Sequence, residues 1–395
     1  MIKAIGVYNF KSLAKFQLDL SHFTCLIGMN GTGKSTILQL FDFISQLMHG
    51  DIEEWLLEKG WKPSDLACKL PNNKKRSISL GIIYKTNNNK ELHWKALYNP
   101  TEMRCTKEVI EIDGEEVFKL EKQHTTTIKK NEGPVNYDYQ GSIFSRRKEK
   151  NDPPEISEFR NAIRNIGSPE LLSPQLLRQR THSQNTGIGT GINNLPTRIS
   201  NLSAPQKLNL TNSIKKLYPS ISDISVTSMR SGWKKVSATE IYDESTIETE
   251  ATHLNDGVLR VLGILLEYSQ QDATILLDEV ENGINPEIME LLVNQLVQAP
   301  QQTLVTTHSP MILNYLDDDT ARESVQFVYK GPDGSTRVRR FFDIERINRK
   351  LDVMGPGEAF VDTDLRALTQ ECIQLDAQQQ SESQQQHNVT KDSTA

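Results

Sequence analysis

Residues 28–35 read GMNGTGKS, and this glycine-rich segment constrains the fold more than any other feature of the chain. It follows the short apolar run FTCLI and precedes apolar residues spaced as on one face of a helix, among them Ile37, Phe41 and Ile44. A glycine loop between a strand and a helix binds phosphate, because its backbone N–H groups and the helix N-terminus point at one anion. The pattern predicts an α/β fold in which this loop holds a nucleotide.

The residues of the loop have separate expected roles toward that nucleotide. Lys34 would reach the β- and γ-phosphates, and the hydroxyl of Ser35 would bind Mg²⁺. Backbone N–H groups would hold the phosphate oxygens, and the residues around the loop that supply them are Asn30, Gly31, Thr32, Gly33, Lys34, Ser35 and Thr36. ATP and Mg²⁺ are therefore the predicted ligands.

Two further apolar runs end in polar residues that suit the same site. TILLDE, at 274–279, ends in two acids: Asp278 would hold Mg²⁺ through water, and Glu279 would act as general base toward the attacking water. TTHSP, at 306–310, places His308 where it would sense the γ-phosphate. Strand ends face the ligand crevice in an open α/β sheet, so we expect these side chains to meet the glycine loop.

A long insertion is expected between the two halves of the site, because Lys34 and Asp278 lie roughly 245 residues apart and compact P-loop domains need far fewer. The expected division is 1–120 for the first half with its β subdomain, 121–220 for a polar, largely helical insertion, 221–345 for the second half, 346–373 for a short capping segment and 374–395 for a disordered tail. Periodicity predicts helices near 155–166, 205–217, 258–269 and 286–298, strands at 273–277 and 302–306, a hairpin at 325–341 and a glycine-rich loop at 181–194.

The composition argues against several other classes of protein. A net charge of −6 over 395 residues gives no global attraction to nucleic acid or to a membrane surface. The four cysteines are scattered without metal-binding spacing, and no apolar stretch approaches the roughly 18 residues of a membrane span. We therefore expect a cytoplasmic protein that makes no membrane contact.

Five motifs occur in the order found in ABC-type ATPases of the SMC/RecF and OLD-like group, which the chain resembles over roughly residues 1–345. They are NFKSL at 9–13, GMNGTGKS, LNDG at 254–257, LLDEVENGINPE and TTHSP. The resemblance implies an α/β, ABC-type P-loop ATPase head with mixed and parallel sheet, an antiparallel β subdomain and a helical insertion. It also implies that LNDG is the signature element, formed by Asn255 in place of the more usual serine, with Asp256 and Gly257.

In such relatives the signature hydroxyl contacts the γ-phosphate of an ATP held by the opposite subunit. An asparagine amide can donate the same hydrogen bond, and the helix that follows adds its positive end. The resemblance therefore implies a homodimer, or a higher even oligomer, with each ATP shared between two subunits. It also implies a glutamine that completes the Mg²⁺ shell, and Gln140 is our candidate.

Stand-alone ATPases of this size resemble the sensor or scaffold subunits of two-gene bacterial anti-phage systems, in which a separate polypeptide is the nuclease. We expect no nuclease site in this chain, because Glu358, Asp362 and Asp364 lack the room that the surrounding nuclease fold needs. A RecF-like clamp on DNA is the alternative. Its candidate basic groups are Lys129-Lys130, Arg146-Arg147-Lys148, and Arg337, Arg339 and Arg340. The energy subunit of a transporter fits less well, because NFKSL and ENGINP are not the transporter pattern.

Overall fold

The computed structural model describes the chain except residues 72–74, 122–123, 128–129, 136, 148–151, 168–173, 183–194, 269–273 and 393–395. Its strands are β1 (Ile2–Phe10), β2 (Leu13–Asp19), β3 (Phe23–Ile27), β4 (Ile78–Lys85), β5 (Glu91–Asn99), β6 (Arg104–Ile112), β7 (Glu115–Glu121), β8 (His124–Thr127), β9 (Lys130–Pro134), β10 (Thr181–His182), β11 (Ile221–Ser228), β12 (Trp233–Tyr242), β13 (Ser245–Glu250), β14 (Thr274–Leu277), β15 (Gln302–Thr306), β16 (Val325–Lys330) and β17 (Thr336–Arg340). Its α-helices are α1 (Lys34–His49), α2 (Ile52–Lys59), α3 (Pro154–Arg164), α4 (Pro174–Leu177), α5 (Leu195–Asn201), α6 (Ala204–Leu217), α7 (Asp256–Glu267), α8 (Pro286–Gln298), α9 (Pro310–Asn314), α10 (Asp318–Ser324), α11 (Glu345–Asn348), α12 (Pro356–Val361) and α13 (Leu365–Asp392). Among these described helices, none is long and apolar enough to cross a membrane.

One five-stranded sheet has the order β14-β15-β3-β16-β17. It contains β3, which precedes the glycine loop, and β14 and β15, which are followed by the predicted polar site residues. Strands β14, β15, β3 and β16 run parallel, and β17 is antiparallel to β16. Parallel strands are covered on both faces, which is why every residue of β3 is buried. The predicted βαβ arrangement is confirmed, since α7, β14, α8 and β15 follow one another in the expected order.

Side chains of this sheet alternate between two cores. Leu276 and Leu304 belong to the core that contains α1 and the antiparallel sheet, whereas Ile275 and Val305 belong to the core that contains α7 and α8. Helix α1, which begins at the glycine loop, therefore packs on one face of the sheet. Helix α7, which begins at LNDG, packs on the other.

The second sheet is antiparallel and has the order β2-β1-β4-β5-β6-β7-β8-β9. It packs over α1, where the ring of Phe43 lies 5.4 Å from that of Phe10 and 5.1 Å from that of Tyr98. This sheet is the antiparallel β subdomain that the motifs implied. Strands β8 and β9 extend it beyond the boundary expected at residue 120, because they continue the same hairpin ladder.

The residues expected to form the insertion, 121–220, contribute helices and strand β10. Strand β10 joins a small sheet ordered β10-β12-β11, with β13 beside β12, whose other strands come from the residues after 220. The helices predicted near 155–166 and 205–217 correspond to α3 and α6. Helices α5 and α6 bury Ile199, Leu210 and Ile214 in the core that contains α7, so the insertion packs against α7. Of the predicted glycine-rich loop, Thr181 and His182 form β10, and residues 183–194 lie outside the described part of the chain.

The C-terminal residues differ from the expectation of a disordered tail from residue 374. Helix α13 continues through Asp392. The carboxylate of Asp376 accepts hydrogen bonds from Tyr329 Oη at 2.8 Å, Arg337 Nη1 at 2.9 Å and Arg339 Nη2 at 2.9 Å. These contacts dock the helix on the β16–β17 hairpin, and a Gln/Ser-rich composition cannot show such a long-range anchor.

Candidate functional site

The glycine loop joins the end of β3 to the first turn of α1 in a conformation that requires glycine at two positions. Gly28 and Gly33 have φ angles of 147° and 110°, a region that side chains disfavour. A Cβ atom at Gly28 would collide with the carbonyl oxygen of Val328, and one at Gly33 would collide with the hydroxyl of Thr336. The β16–β17 hairpin therefore presses closely against the loop.

Thr336 fixes the loop to the β1–β2 turn through its hydroxyl. Its Oγ1 donates to the Thr32 carbonyl at 2.8 Å, so the 2.8 Å contact with Ser12 must use the proton of Ser12 Oγ. Lys330 Nζ donates to the same oxygen at 3.1 Å. Thr336 cannot be assigned from sequence, because it lies 304 residues from Thr32 and belongs to no recognisable motif.

Lys34 is buried at the start of α1, with 6% of its surface exposed. Its ammonium donates to the carbonyl oxygens of Gly28 at 2.9 Å and Met29 at 3.1 Å. Burial lowers the pKa of Lys34 to about 8, and the carboxylates of Asp278 and Glu279 act against this shift. The lysine thus lies within the electrostatic reach of the predicted Mg²⁺ ligand, Asp278, and of the predicted general base, Glu279.

Thr306, the last residue of β15, organises the two acids that follow β14. Its hydroxyl donates to Asp278 Oδ1 at 2.5 Å and accepts from the Glu279 backbone N–H at 2.8 Å. Glu279 has a φ angle of 48°, which is uncommon for a residue other than glycine, and its side chain is exposed. Asn282 Nδ2 donates to Glu279 Oε2. The carboxylate of Glu279 is therefore turned out of the sheet yet held by a neighbour.

His308 lies directly beyond the same strand, and its side chain is exposed. Its backbone N–H donates to Glu281 Oε1 at 2.7 Å, and the preceding Thr307 N–H donates to the Leu26 carbonyl at 3.1 Å. Because β15 lies between β14 and β3, these bonds place His308 between the two acids and the glycine loop. The structure brings Lys34, Asp278, Glu279 and His308 to one edge of the sheet, as predicted.

The donor set at this edge fits Mg²⁺. The cation is usually held by one or two protein oxygens together with phosphate oxygens and water. Ser35 offers an exposed hydroxyl, and Asp278 offers a carboxylate whose other oxygen is fixed by Thr306. No group of three or more His, Cys, Asp or Glu side chains in the described residues forms a separate metal site.

The LNDG turn caps α7. Asn255 Oδ1 accepts from the Val258 N–H at 2.8 Å, and the side chains of Asn255 and Asp256 are exposed. A Cβ at Gly257 would approach the Gly283 carbonyl to 2.8 Å, so this glycine lets the turn pack against the ENGINP loop. The turn thus packs against the loop that follows the outer strand β14, whereas the glycine loop follows β3, two strands further in.

Gln140 does not reach this site, and the prediction that it completes the Mg²⁺ shell is corrected. Its Oε1 accepts from the Glu53 N–H at 3.0 Å, close to Gly50 at the C-terminal end of α1. Ser35 lies near the other end of this helix, about 22 Å from Gly50 at 1.5 Å per residue. Gly141 packs on the Leu47 backbone and holds the segment at that far end.

Several of the predicted basic groups are neutralised by neighbouring carboxylates. Arg337 and Arg339 pair with Asp376, and Arg147 pairs with Asp152 at 2.9 Å. Arg146 is exposed and Arg340 is half-buried. Lys129 and Lys148 lie outside the described residues, as does the side chain of Lys130.

The acidic trio near the C-terminus has structural contacts. Glu358 Oε2 accepts from the Gly355 N–H at 3.2 Å, Asp362 pairs with Lys350 at 3.0 Å, and Asp364 caps the first turn of α13. These three carboxylates therefore bond to three separate parts of the C-terminal segment.

Comparisons with known proteins identify a family and a fold. The family described as AAA ATPase domain matches residues 1–313. No match is found among curated proteins. A solved SMC head bound to the C-winged helix domain of ScpA is similar at 14% identity and a TM-score of 0.54, over 86% of this chain and 96% of that chain.

Two other SMC head structures also match. The head domain from Thermotoga maritima is 14% identical over 86% of this chain and 98% of its own, with a TM-score of 0.47. A head with an extended coiled coil, bound to the C-terminal domain of ScpA derived from Pyrococcus furiosus, is 12% identical over 89% and 99%, with a TM-score of 0.49. The first match shows that the fold is that of an SMC head.

Proposed function

Because this chain belongs to the AAA ATPase domain family and is a P-loop ATPase of the SMC/RecF-like group, we propose that it hydrolyses ATP at a site shared between two copies of itself. One copy supplies the glycine loop, Asp278, Glu279 and His308. The other copy supplies Asn255 at the start of α7. ATP then joins the two copies, and hydrolysis releases them.

The observation that supports this proposal best is the separation of the glycine loop from the LNDG turn within one chain. The helices that begin at these two elements pack on opposite faces of the sheet, and the turn packs against Gly283 of the loop after the edge strand β14, two strands away from β3. The side chain of Asn255 is exposed, and among the described residues its Nδ2 has no hydrogen-bond partner. An exposed donor at a helix N-terminus suits an anion carried by another molecule.

The residues of the site divide the chemistry among them. Lys34 and the loop N–H groups bind the phosphates, and Ser35 and Asp278 would hold Mg²⁺, whose charge stabilises the developing phosphate negative charge. Glu279 accepts a proton from the attacking water, for which its exposed carboxylate is suited. His308 contacts the terminal phosphate from the neighbouring strand.

We further propose that the nucleotide state controls a separately encoded effector, a nuclease in anti-phage defence. The similar SMC head is bound to a domain of a different polypeptide, ScpA, which is a precedent for a head of this fold that carries a protein partner. A DNA clamp is supported less, because Arg147, Arg337 and Arg339 are already paired with carboxylates and the net charge is −6.

The test measures the mass of the assembly formed by a Glu279→Gln variant, which lacks the proposed general base and should therefore retain ATP. Expressed from its own operon and purified with ATP and Mg²⁺, it should appear in native mass spectrometry as an even oligomer that carries a second protein. A dimer that carries only DNA would favour the clamp. A monomer at micromolar concentration in saturating ATP would contradict the shared site.

A further inference from the structure

Two arginines of the insertion hold the segment that leads into the LNDG turn. Arg178 Nη2 donates to the Leu254 carbonyl at 2.9 Å and to Asp256 Oδ1 at 2.5 Å. Arg180 forms two bonds with Glu250, from Nε at 2.8 Å and from Nη2 at 3.1 Å. Only Arg178 touches the turn itself.

The position of Arg178 is fixed from both sides. Leu177, at the end of α4, is 3% exposed in the core that contains α7, and the Arg178 N–H donates to the Pro174 carbonyl at 3.0 Å. Three residues later, Thr181 pairs with Lys234 of β12. The guanidinium is therefore presented to the turn by an anchored piece of chain, with 29% of the side chain exposed.

Asp256 creates an electrostatic problem for a shared ATP site. Its side chain is 54% exposed and directly follows Asn255, the residue that would contact the triphosphate of the other subunit. A carboxylate at that point repels a triphosphate, and apposed like charges strongly disfavour association. The Arg178 guanidinium, bonded to Asp256, offsets that charge.

We propose that Arg178 is a positioning residue for the shared site: it neutralises Asp256 and holds the Leu254 carbonyl, so that the LNDG turn accepts the triphosphate bound by the other subunit. This inference rests on the proposed function. It assigns to the insertion a part in ATP-dependent dimerisation, through one side chain that lies outside every motif of the ATPase head.

The experiment measures ATP-dependent dimerisation by sedimentation velocity in a Glu279→Gln background, which prevents turnover. Adding Arg178→Ala should weaken the dimer by about tenfold or more, while the ATP affinity of the monomer stays unchanged and shows that the variant is folded. The defect should shrink in high salt, because screening weakens the repulsion from Asp256. Arg180→Ala is the matched control, and its dimer should remain as tight as that of Glu279→Gln alone.

A second pair of variants separates charge from fold. Combining Arg178→Ala with Asp256→Asn should restore most of the dimerisation, and Arg178→Lys should lose less than Arg178→Ala because it keeps the positive charge. The inference is overturned if Arg178→Ala dimerises like its parent, or if Asp256→Asn restores nothing. If the Glu279→Gln parent itself stays monomeric in ATP, the shared site fails, and the inference about Arg178 fails with it.

Discussion

Thr306 and Asp278 lie at the ends of adjacent parallel strands, and the hydroxyl of Thr306 donates to Asp278 Oδ1 at 2.5 Å. The same hydroxyl accepts the backbone N–H of Glu279, so one fully buried oxygen sets the position of both acids. The predicted metal ligand and the predicted general base therefore depend on a residue of the neighbouring strand.

Thr306→Val should impair Mg²⁺-dependent ATP hydrolysis. The substitution keeps the shape of the side chain but removes the bond to Asp278 and leaves the Glu279 N–H without its partner. Loss of an outer-shell partner costs about 10- to 100-fold in metal affinity or activity. A Mg²⁺ titration of the ATPase rate checks this. The control is Thr303→Val, because Thr303 is a buried threonine of the same strand that does not contact the acids. Equal Mg²⁺ dependence in both variants would contradict the role of Thr306.

ATP binding should take up a proton above pH 8. Burial lowers the pKa of Lys34 to about 8, so the free protein carries a growing fraction of neutral Lys34 as the pH rises past that value. A bound triphosphate favours the ammonium and raises the pKa again. ATP affinity should therefore fall from pH 7.5 to pH 9, with proton uptake visible as a buffer-dependent enthalpy in titration calorimetry. A binding enthalpy that does not depend on the buffer at pH 8.5 would exclude this linkage.

Much of this site follows from sequence because it consists of contiguous motifs at strand ends. The loop at 28–35, the acids after β14 and His308 after β15 occupy the positions that a parallel sheet dictates. Thr306 and Thr336 could not be assigned, since their bonds depend on which strands become neighbours. Gln140 was misplaced for the same reason: its segment packs at the far end of α1, and nothing local to the sequence shows that.

The free energy of unfolding should decrease as the pH rises from 5 to 7, because the unfolded state loses a Glu108 proton that the folded state holds. Burial raises the pKa of this carboxyl to about 7, although Trp94, Ser142 and the Ile143 N–H all donate to it. Between the ordinary carboxyl value and pH 7 the folded state holds a proton that the unfolded state has lost, so the free energy of unfolding decreases with pH there.

The measurement for Glu108 is urea unfolding at pH 5 and pH 7.5. Glu108→Gln should remove this part of the pH dependence. Glu111→Gln, at a partly exposed carboxylate of the same strand that pairs with Lys95, should leave it in place. Identical slopes in the wild type and Glu108→Gln would show that Glu108 does not titrate in this range.

Asp376→Ala should loosen the C-terminal helix from the β16–β17 hairpin. The carboxylate accepts bonds from Tyr329, Arg337 and Arg339, and its loss leaves the 3.1 Å bond from Arg339 Nη2 to Gln379 Oε1 as the described side-chain hydrogen bond between this hairpin and the helix. Hydrogen exchange in residues 374–380 should become about tenfold faster, the effect of losing about 1.4 kcal/mol of local stability. Glu371→Ala, also on α13, removes the pair with Arg346 of α11 and should change exchange in residues 374–380 much less.

Mixing two inactive variants tests the shared ATP site most directly. Lys34→Ala disables the glycine loop. Asn255→Asp removes the amide donor of the turn but keeps an oxygen that can cap Val258. A random mixture should recover about a quarter of the wild-type ATPase rate, because half of the dimers are mixed and each of these contains one intact site. A mixture no more active than either variant alone would contradict the account, since it would mean that the loop and the turn of one chain serve the same site instead of a site shared between two copies.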